Sequence, residues 1–279
     1  MDSSLLPTFA TVRKKTIFRF IKVLLLIYCL LGIALYYLQG KLLFHPVAVG
    51  INESYQLNSP YREVNIPYSN TSNLNIIEFT TNATPKGVVL YFHGNRKNIS
   101  YYAKFSTEFT RNDYEVWMMD YPGFGKSTGE LDEKRIYDWC LQTYKLARKR
   151  FPPDSIIIFG KSMGSGFAAQ LASVRDTRRL ILETPYYSFP SIVGQYAPIY
   201  PLKQMIHFKV PTYQYLQKVT APITIFHGTD DWIIRYQNAK KLLPFLKPTD
   251  EFITISGGSH NNLHEYKIFQ QKVDSVLNR

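Results

Sequence analysis

A serine flanked by glycines stands directly after an apolar run, in the stretch FGKSMGSGFAAQ at residues 159–170. Gly160, Ser162 and Gly164 fit the pattern G-x-S-x-G, which is typical of a tight strand-to-helix turn that exposes a serine nucleophile. Glycine suits the two flanking positions because a side chain there would collide with neighbouring backbone. The pattern therefore predicts nucleophilic chemistry at Ser162.

The same stretch contains Gly-Lys-Ser at 160–162, the end of the phosphate-binding pattern G-x-x-x-x-G-K-[ST]. The first glycine of that pattern would fall on Ser155, at the start of a predicted strand, so no loop precedes the Gly-Lys pair. A second Gly-Lys-Ser, at 125–127, has Asp120 where the first glycine belongs. Neither place therefore fits a nucleotide-binding loop.

A serine hydroxyl needs a general base, and that base needs an acid to orient it. The segment HGTDDWII follows a predicted strand at 222–226, and GGSHNN follows another at 252–256. Asp231 and His260 thus come after Ser162 in the chain order Ser, Asp, His that accompanies this turn. They are the predicted acid and base.

Other residues compete for these roles. Asp230 and Glu183 are alternative acids, and His264 is an alternative base, although it is expected on the last helix. His93 and His227 each precede a glycine after a strand, so we expect them to be structural hydrogen-bonding residues rather than bases.

An oxyanion formed at Ser162 would need backbone donors. We expect the N–H of Met163, at the start of a helix, and the N–H of Asn95, in the loop after the first parallel strand, to supply them. A turn-capping role is the alternative for Asn95. Lys161 is expected to face solvent. This chemistry needs no cofactor and no metal, and the two cysteines, Cys29 and Cys140, provide no disulfide framework or metal site.

Apolar strands alternate with helices along most of the chain. This alternation predicts an α/β fold with a mostly parallel sheet, helices on both faces and a ligand site beyond the carboxyl ends of the strands. An antiparallel pair is expected within 61–80, before the parallel part. The further predicted strands are 87–92, 114–120, 155–159, 180–183, 222–226 and 252–256; the predicted helices are 98–111, 133–150, 163–174, 237–245 and 263–277.

The N-terminal segment predicts one transmembrane helix. Residues 23–38, VLLLIYCLLGIALYYL, carry no charge, and the preceding apolar residues extend the segment if Arg19 and Lys22 snorkel. No small-x-small cleavage site follows, so an uncleaved anchor is favoured over a signal peptide. Basic residues before the segment place the N-terminus in the cytoplasm and the catalytic domain on the other side. The predicted domains are 1–40, with the anchor, and 41–279.

The formal net charge of +12 does not indicate nucleic-acid binding. Six basic residues lie in the first fifty positions against Asp2 alone, where they flank the apolar segment. The remaining excess is spread over the globular part without a long basic run.

Five segments together resemble a known family: FHGN at 92–95, DYPGFGKSTG at 120–129, GKSMG at 160–164, HGTDDWI at 227–233 and GGSHNN at 257–262. They resemble the α/β-hydrolase superfamily, and most closely its membrane-anchored branch of bud-emergence-type proteins and α/β-hydrolase-domain depalmitoylases. The resemblance covers about 41–279 and implies the α/β-hydrolase fold, with Asp231 as the acid. It also implies a mostly structural turn at Asp120 and Tyr121. Arg96 and Lys97 depart from the branch, which often has another glycine there.

These residues predict a membrane-anchored serine hydrolase that cleaves an ester, thioester or amide of a small-molecule or lipid acyl substrate. The alternatives are a serine peptidase and a non-enzymatic, membrane-tethered interaction protein with the same fold. Residues 185–219, rich in aromatic side chains, predict a small lid over the site. Ordinary packing against the sheet is the other interpretation of those aromatic residues.

Overall fold

The computed structural model describes the backbone of residues 9–278 and the side chains of residues 16–278. The chain divides between Leu43 and Phe44 into two compact units. The first contains α1, Phe9–Leu43. Within it, Thr16–Leu43 is long and apolar enough to cross a membrane, with a mean hydropathy of 2.3. The predicted cytoplasmic end includes residues 1–8 and the side chains of Arg13, Lys14 and Lys15, which lie outside the described part.

The second unit is built on an eight-stranded sheet with a separate two-stranded ribbon. The strands, in chain order, are β1 His45–Pro46, β2 Tyr61–Ser69, β3 Ser72–Phe79, β4 Gly87–Phe92, β5 Arg96–Lys97, β6 Tyr114–Met119, β7 Ile156–Lys161, β8 Arg179–Glu183, β9 Ile223–Gly228 and β10 Glu251–Ile255. The large sheet has the order β10-β9-β8-β7-β4-β6-β3-β2, and β1 pairs with β5 in the ribbon. The six strands β10, β9, β8, β7, β4 and β6 pair in parallel, whereas β3 pairs antiparallel with β6 and β2 pairs antiparallel with β3 at the edge of the sheet.

Helices and short helical turns connect these strands. They are α2 Ile99–Tyr102, α3 Thr107–Thr110, α4 Glu133–Ala147, α5 Met163–Ala172, α6 Phe189–Val193, α7 Leu202–Met205, α8 Thr212–Leu216, α9 Tyr236–Lys240 and α10 Lys267–Leu277. The α/β-hydrolase fold expected from the sequence is confirmed.

The connection order defines where a site forms. The strand β4 pairs with β6 on one side and β7 on the other, so the chain leaves β4 toward one edge and later returns to build toward the other. Such a reversal opens a crevice at the carboxyl ends of the strands. The loop after β4 begins at His93, and β7 ends at Lys161, directly before Ser162.

Every residue of β4, β6, β7 and β9 is buried, as expected of parallel strands covered on both faces. The predicted strands all occur, with shifts of one or two residues at their ends. The predicted helix at 98–111 is instead broken into α2, a 3-10 turn at Ala103–Phe105 and α3. The strand β7 runs two residues further than predicted, through Gly160 and Lys161, which changes the surroundings of Lys161.

Candidate active site

Ser162 stands between β7 and α5 without any loop. Its backbone has a φ of +52°, a left-handed conformation that costs energy for a residue with a Cβ. A Cβ at Gly164 would overlap the carbonyl oxygen of Phe92, and one at Gly160 would lie 2.6 Å from the Cβ of Ala168. Glycine is therefore required at both positions for α5 to approach the sheet this closely.

Three side chains that the sequence analysis singled out form one hydrogen-bonded chain. The Nε2 atom of His260 lies 2.8 Å from Oγ of Ser162, and its Nδ1 atom lies 2.7 Å from Oδ2 of Asp231. The carboxylate accepts the Nδ1–H, so Nε2 is left unprotonated to accept the hydrogen bond of the serine hydroxyl. All three residues are buried.

Asp231 is held in place by the backbone that follows it. Its Oδ1 accepts hydrogen bonds from the N–H groups of Ile233 at 2.9 Å and Ile234 at 2.8 Å, which leaves Oδ2 for His260. The neighbouring Asp230 is exposed, and its carboxylate accepts a hydrogen bond from the hydroxyl of Thr229. Of the two adjacent aspartates, only Asp231 contacts His260.

The sequence-based expectation for Lys161 is wrong. Lys161 is the last residue of β7 and only 2% exposed, and its ammonium group pairs with the carboxylate of Glu183 at the end of β8. The two residues are opposite each other in the parallel register, so their side chains leave the sheet on the same side. Glu183, the rival acid, is therefore engaged by Lys161, and its backbone carbonyl accepts the N–H of Ser162 at 2.8 Å.

The other histidines near the sheet have structural contacts. His93 lies 3.2 Å from Asp120 through Nε2, and its Nδ1 is 2.7 Å from the carbonyl oxygen of Gly94. His227 donates through Nε2 to the carbonyl oxygen of Ile234 at 2.8 Å. Burial lowers the pKa of His227, against the opposing effect of the Asp231 carboxylate, so the ring is neutral at physiological pH.

His264 is in a 3-10 turn, Leu263–Glu265, that precedes the last helix. Burial lowers the pKa of His264, and its ring packs edge-on against Phe105 with centroids 4.9 Å apart. Asp120 and Tyr121 match their expected structural role. The carboxylate of Asp120 accepts the N–H of Ile99 at 3.0 Å, and the hydroxyl of Tyr121 donates to the carbonyl oxygen of His93 at 2.8 Å.

The two backbone groups suggested for an oxyanion lie on elements that flank Ser162. Met163 is the first residue of α5, where an N–H has no acceptor within its own helix. Asn95 belongs to the loop after β4, and a Cβ at the preceding Gly94 would lie 3.6 Å from the Cβ of Ser162. The loop that carries Asn95 therefore passes directly beside the serine.

Ser162 and His260 open into one cleft, here called the serine cleft, of about 390 Å³. Its other walls include Gly94, Asn95, Tyr102 and Ile233, and its rim includes His45, Arg96 and Lys97. His45, which lies in the connector after α1, was not among the residues predicted to belong to the site. A two-residue strand carries no periodicity from which its pairing with β5 could have been predicted.

The aromatic residues of 185–219 do not line the serine cleft. Tyr187 stacks on Tyr213 with ring centroids 4.2 Å apart, and Phe189 and Phe208 both pack against Phe44. The structure thus favours packing over a substrate-facing apolar surface. Tyr196 connects this segment to the cleft. Its hydroxyl donates a shared hydrogen bond to the backbone carbonyl oxygens of Trp232 and Ile233, each at 2.9 Å.

Within the described part of the chain, no group of three or more His, Cys, Asp or Glu side chains is arranged to hold a metal ion. The groups available for chemistry at Ser162 are its hydroxyl, the imidazole of His260 with the Asp231 carboxylate behind it, and backbone N–H groups.

This combination of fold and site defines the class of the protein: the chain is a member of the α/β-hydrolase superfamily. A family model described as serine aminopeptidase, S33, matches residues 83–215, a range that includes Ser162 and ends before Asp231 and His260. Among curated proteins, alpha/beta hydrolase domain-containing protein 17C of Xenopus tropicalis is 26% identical over 197 residues, covering 68% of this chain and 61% of that protein.

The human alpha/beta hydrolase domain-containing protein 17B is 25% identical over 198 residues, covering 70% of this chain and 67% of its own length. The chain thus spans less than two thirds of the frog relative. Among solved structures, an esterase of Pyrococcus furiosus superimposes with a TM-score of 0.65 at 18% identity, over 85% of this chain and 98% of that one. A monoglyceride lipase of Saccharomyces cerevisiae gives a TM-score of 0.61 at 14% identity, over 82% and 98%.

Proposed function

We propose that the chain is a membrane-anchored serine hydrolase that cleaves an ester, thioester or amide of an acyl substrate through an acyl-enzyme. The observation that carries the proposal is the hydrogen-bonded chain from Ser162 through His260 to Asp231, with donor-acceptor distances of 2.8 and 2.7 Å. Esterase and lipase structures of the same fold and the depalmitoylase-like resemblance support the acyl substrate class.

In the first half of the reaction, Nε2 of His260 takes the proton of the Ser162 hydroxyl while Oγ attacks the acyl carbonyl. The Asp231 carboxylate orients the ring and stabilises the imidazolium. The N–H groups of Met163 and Asn95 are proposed to hold the oxyanion. The intermediate collapses as His260 returns the proton to the leaving oxygen, sulfur or nitrogen.

In the second half, His260 deprotonates a water molecule that attacks the acyl carbon. The tetrahedral intermediate expels the serine oxygen, which recovers its proton from His260. The products are a carboxylic acid and the free enzyme, so no cofactor enters the cycle.

A fluorophosphonate probe tests this assignment, because it phosphonylates only an activated serine. We expect the full-length protein to be labelled and the Ser162→Ala variant to be unlabelled. Ser173→Ala is the matched control, since Ser173 lies at the far end of α5 and its hydroxyl donates only to the carbonyl of Gln170. Equal labelling of the Ser162→Ala variant would contradict the assignment and place the reactive serine elsewhere, whereas an unlabelled wild-type protein would favour the interaction-protein alternative.

A serine peptidase is the second candidate, and the description of the matching family model favours it. The two activities are separated by comparing aminoacyl arylamides with p-nitrophenyl acyl esters. Under our proposal the acyl esters have the larger kcat/KM. A preference for peptides with a free amino terminus would support the peptidase instead.

The anchor is proposed from the apolar helical segment Thr16–Leu43, and its orientation from the basic residues that precede it. Three N-x-[ST] acceptor sites, at Asn52, Asn70 and Asn82, are exposed in the unit that would then lie outside the cytoplasm. Expression in a eukaryotic host should yield N-glycosylated protein whose mobility shifts on deglycosylation. A protein that resists carbonate extraction but carries no glycan would contradict the orientation and keep the anchor.

A further inference from the structure

The rim of the serine cleft is positively charged. Arg96, Lys97 and His45 border the opening, and no aspartate or glutamate is among the described residues that line it. Arg96 directly follows Asn95, the proposed oxyanion donor, so Arg96 belongs to the short loop that passes beside Ser162.

This rim is built into the backbone. The strand β5, which is Arg96 and Lys97, pairs in parallel with β1, and the N–H groups of His45 and Val47 donate to the carbonyl oxygens of Asn95 and Lys97 at 2.8 and 3.2 Å. These bonds fix the loop that presents both cations.

Lys97 has a left-handed φ of +65°, a conformation that glycine adopts at less cost. Its ammonium group lies 4.3 Å from the centroid of the Tyr101 ring, and Tyr101 also lines the cleft. Lys97 thus occupies a strained backbone position, and its ammonium group lies over a residue that lines the cleft. We infer that this positive charge takes part in ligand binding.

The positive charges of Arg96 and Lys97 are not neutralised by carboxylates of the described residues. In the part of the chain that the structure describes, neither Arg96 nor Lys97 forms an ion pair with a carboxylate. Lys161, by contrast, lines the cleft but is paired with Glu183. Two adjacent, uncompensated cations at the mouth of a low-dielectric cleft attract anions, and a guanidinium fits the oxygens of a phosphate or carboxylate in pairs.

We propose that the serine cleft selects acyl esters or thioesters that carry a phosphate or carboxylate group close to the scissile carbonyl, bound by Arg96 and Lys97. This proposal rests on the proposed hydrolase function and adds the substrate class. The cleft volume is at the low end of the roughly 300–1,000 Å³ of small-molecule sites, which fits a compact anionic group. Such a group belongs either to a lipid or to a water-soluble metabolite.

The test compares neutral and anionic substrates of otherwise equal structure. Full-length protein in nanodiscs of zwitterionic lipid is assayed for acid release from 1-acylglycerol and 1-acylglycerol 3-phosphate, each as the butyryl and the oleoyl compound. We expect kcat/KM to be larger for the phosphates. Preference confined to the oleoyl pair identifies a lipid headgroup, and preference confined to the butyryl pair identifies a soluble substrate.

The Arg96→Gln/Lys97→Gln variant should lower the phosphate-to-neutral ratio of kcat/KM by about tenfold or more, as expected for the loss of charge-assisted hydrogen bonds. Hydrolysis of the neutral ester should persist. The Lys145→Gln/Lys149→Gln variant removes the same charge from exposed positions at and beyond the end of α4 and should keep the ratio. The Arg96→Lys/Lys97→Arg variant should also keep the preference, which excludes misfolding of the loop as the cause.

A binding measurement separates this proposal from the hydrolase function itself. Decyl phosphate and decanol are titrated into the Ser162→Ala protein while the fluorescence of the exposed Trp232, next to Ile233, is followed. Binding of decyl phosphate that needs Arg96 and Lys97 supports the anion site even if neither ester is hydrolysed, in which case only the hydrolase function fails. Equal kcat/KM for both esters, unchanged in the glutamine variant, overturns the anion site and leaves the hydrolase function standing.

Discussion

Lys161 and Glu183 form a buried ion pair directly beside the candidate nucleophile. They are the last residues of the neighbouring strands β7 and β8, and both side chains are almost fully buried. The peptide that follows Lys161 donates the N–H of Ser162 to the carbonyl oxygen of Glu183. The left-handed backbone of Ser162 is therefore held on one side by a backbone hydrogen bond and a charge pair that belong to the same two residues.

We expect Lys161→Met to lower the free energy of unfolding by about 3–5 kcal/mol, because it leaves the Glu183 carboxylate buried without a partner. The double variant Lys161→Met/Glu183→Leu should regain most of this loss, since an apolar pair of similar size can replace a buried ion pair. Denaturant-induced unfolding of the full-length protein in detergent measures both. If the double variant is as unstable as the sum of the two single variants, the ion pair is not the stabilising contact.

Asp231→Asn should reduce kcat on the order of 10⁴-fold, because an amide in place of the carboxylate no longer fixes the His260 ring as the tautomer that accepts the serine proton. The Asp230→Asn variant is the matched control: its side chain is exposed and contacts only Thr229, so activity should stay near the wild-type value. Acyl-ester hydrolysis at saturating substrate checks both. If Asp230→Asn lowered kcat strongly and Asp231→Asn did not, the catalytic acid would be Asp230.

The strands, the strand-to-helix turn and the placement of Asp231 and His260 were predictable because each depends on short-range sequence. An apolar run followed by Gly160-x-Ser162-x-Gly164 leaves little choice of local conformation, and later strands deliver their loops to the same edge of a parallel sheet. Asp231 was the predicted acid, but the reason that Asp230 does not replace it lies in the backbone N–H groups of Ile233 and Ile234, which hold the Asp231 carboxylate toward His260.

The burial of Lys161 was not predictable in the same way. A lysine after an apolar run normally marks the end of a strand and faces water. Its burial depends on the carboxylate of Glu183, twenty-two residues later, and on the register of β7 with β8. The rim residue His45 was missed for a similar reason, since the β1–β5 ribbon is only two residues long.

Glu108, in α3, should make stability depend on pH. Burial, and then the negative charge of Glu183, raise its pKa from 4.5 to about 8. Between these values the folded chain binds more protons at this group than the unfolded chain, so its contribution lowers the free energy of unfolding as pH rises. The slope is at most about 1.4 kcal/mol per pH unit for one proton, and the partial exposure of Glu108 reduces it.

The measurement for Glu108 is the difference in unfolding free energy between the Glu108→Gln variant and the wild type across pH 5–8. The variant should gain stability relative to the wild type as pH rises, because its amide cannot ionise. Glu130→Gln, at an exposed position, should show no such trend. A difference that is constant with pH for both variants would show that Glu108 titrates normally.

Gly164→Ala should disturb the site through its backbone. The added methyl group would overlap the carbonyl oxygen of Phe92 and lie 2.6 Å from that of His93, so the end of β4 must move away from α5. We expect a loss of about 1–3 kcal/mol in the free energy of unfolding, as for overpacked sites. Fluorophosphonate labelling should fall by a larger fraction than the stability does, because the loop with Asn95 moves relative to Ser162.

Gly194→Ala is the control: its φ is −62° and the nearest atom would be 3.2 Å from the new methyl group, so labelling and stability should change little. Full labelling of the Gly164→Ala protein would mean that the close approach of α5 to β4 is not needed to activate Ser162.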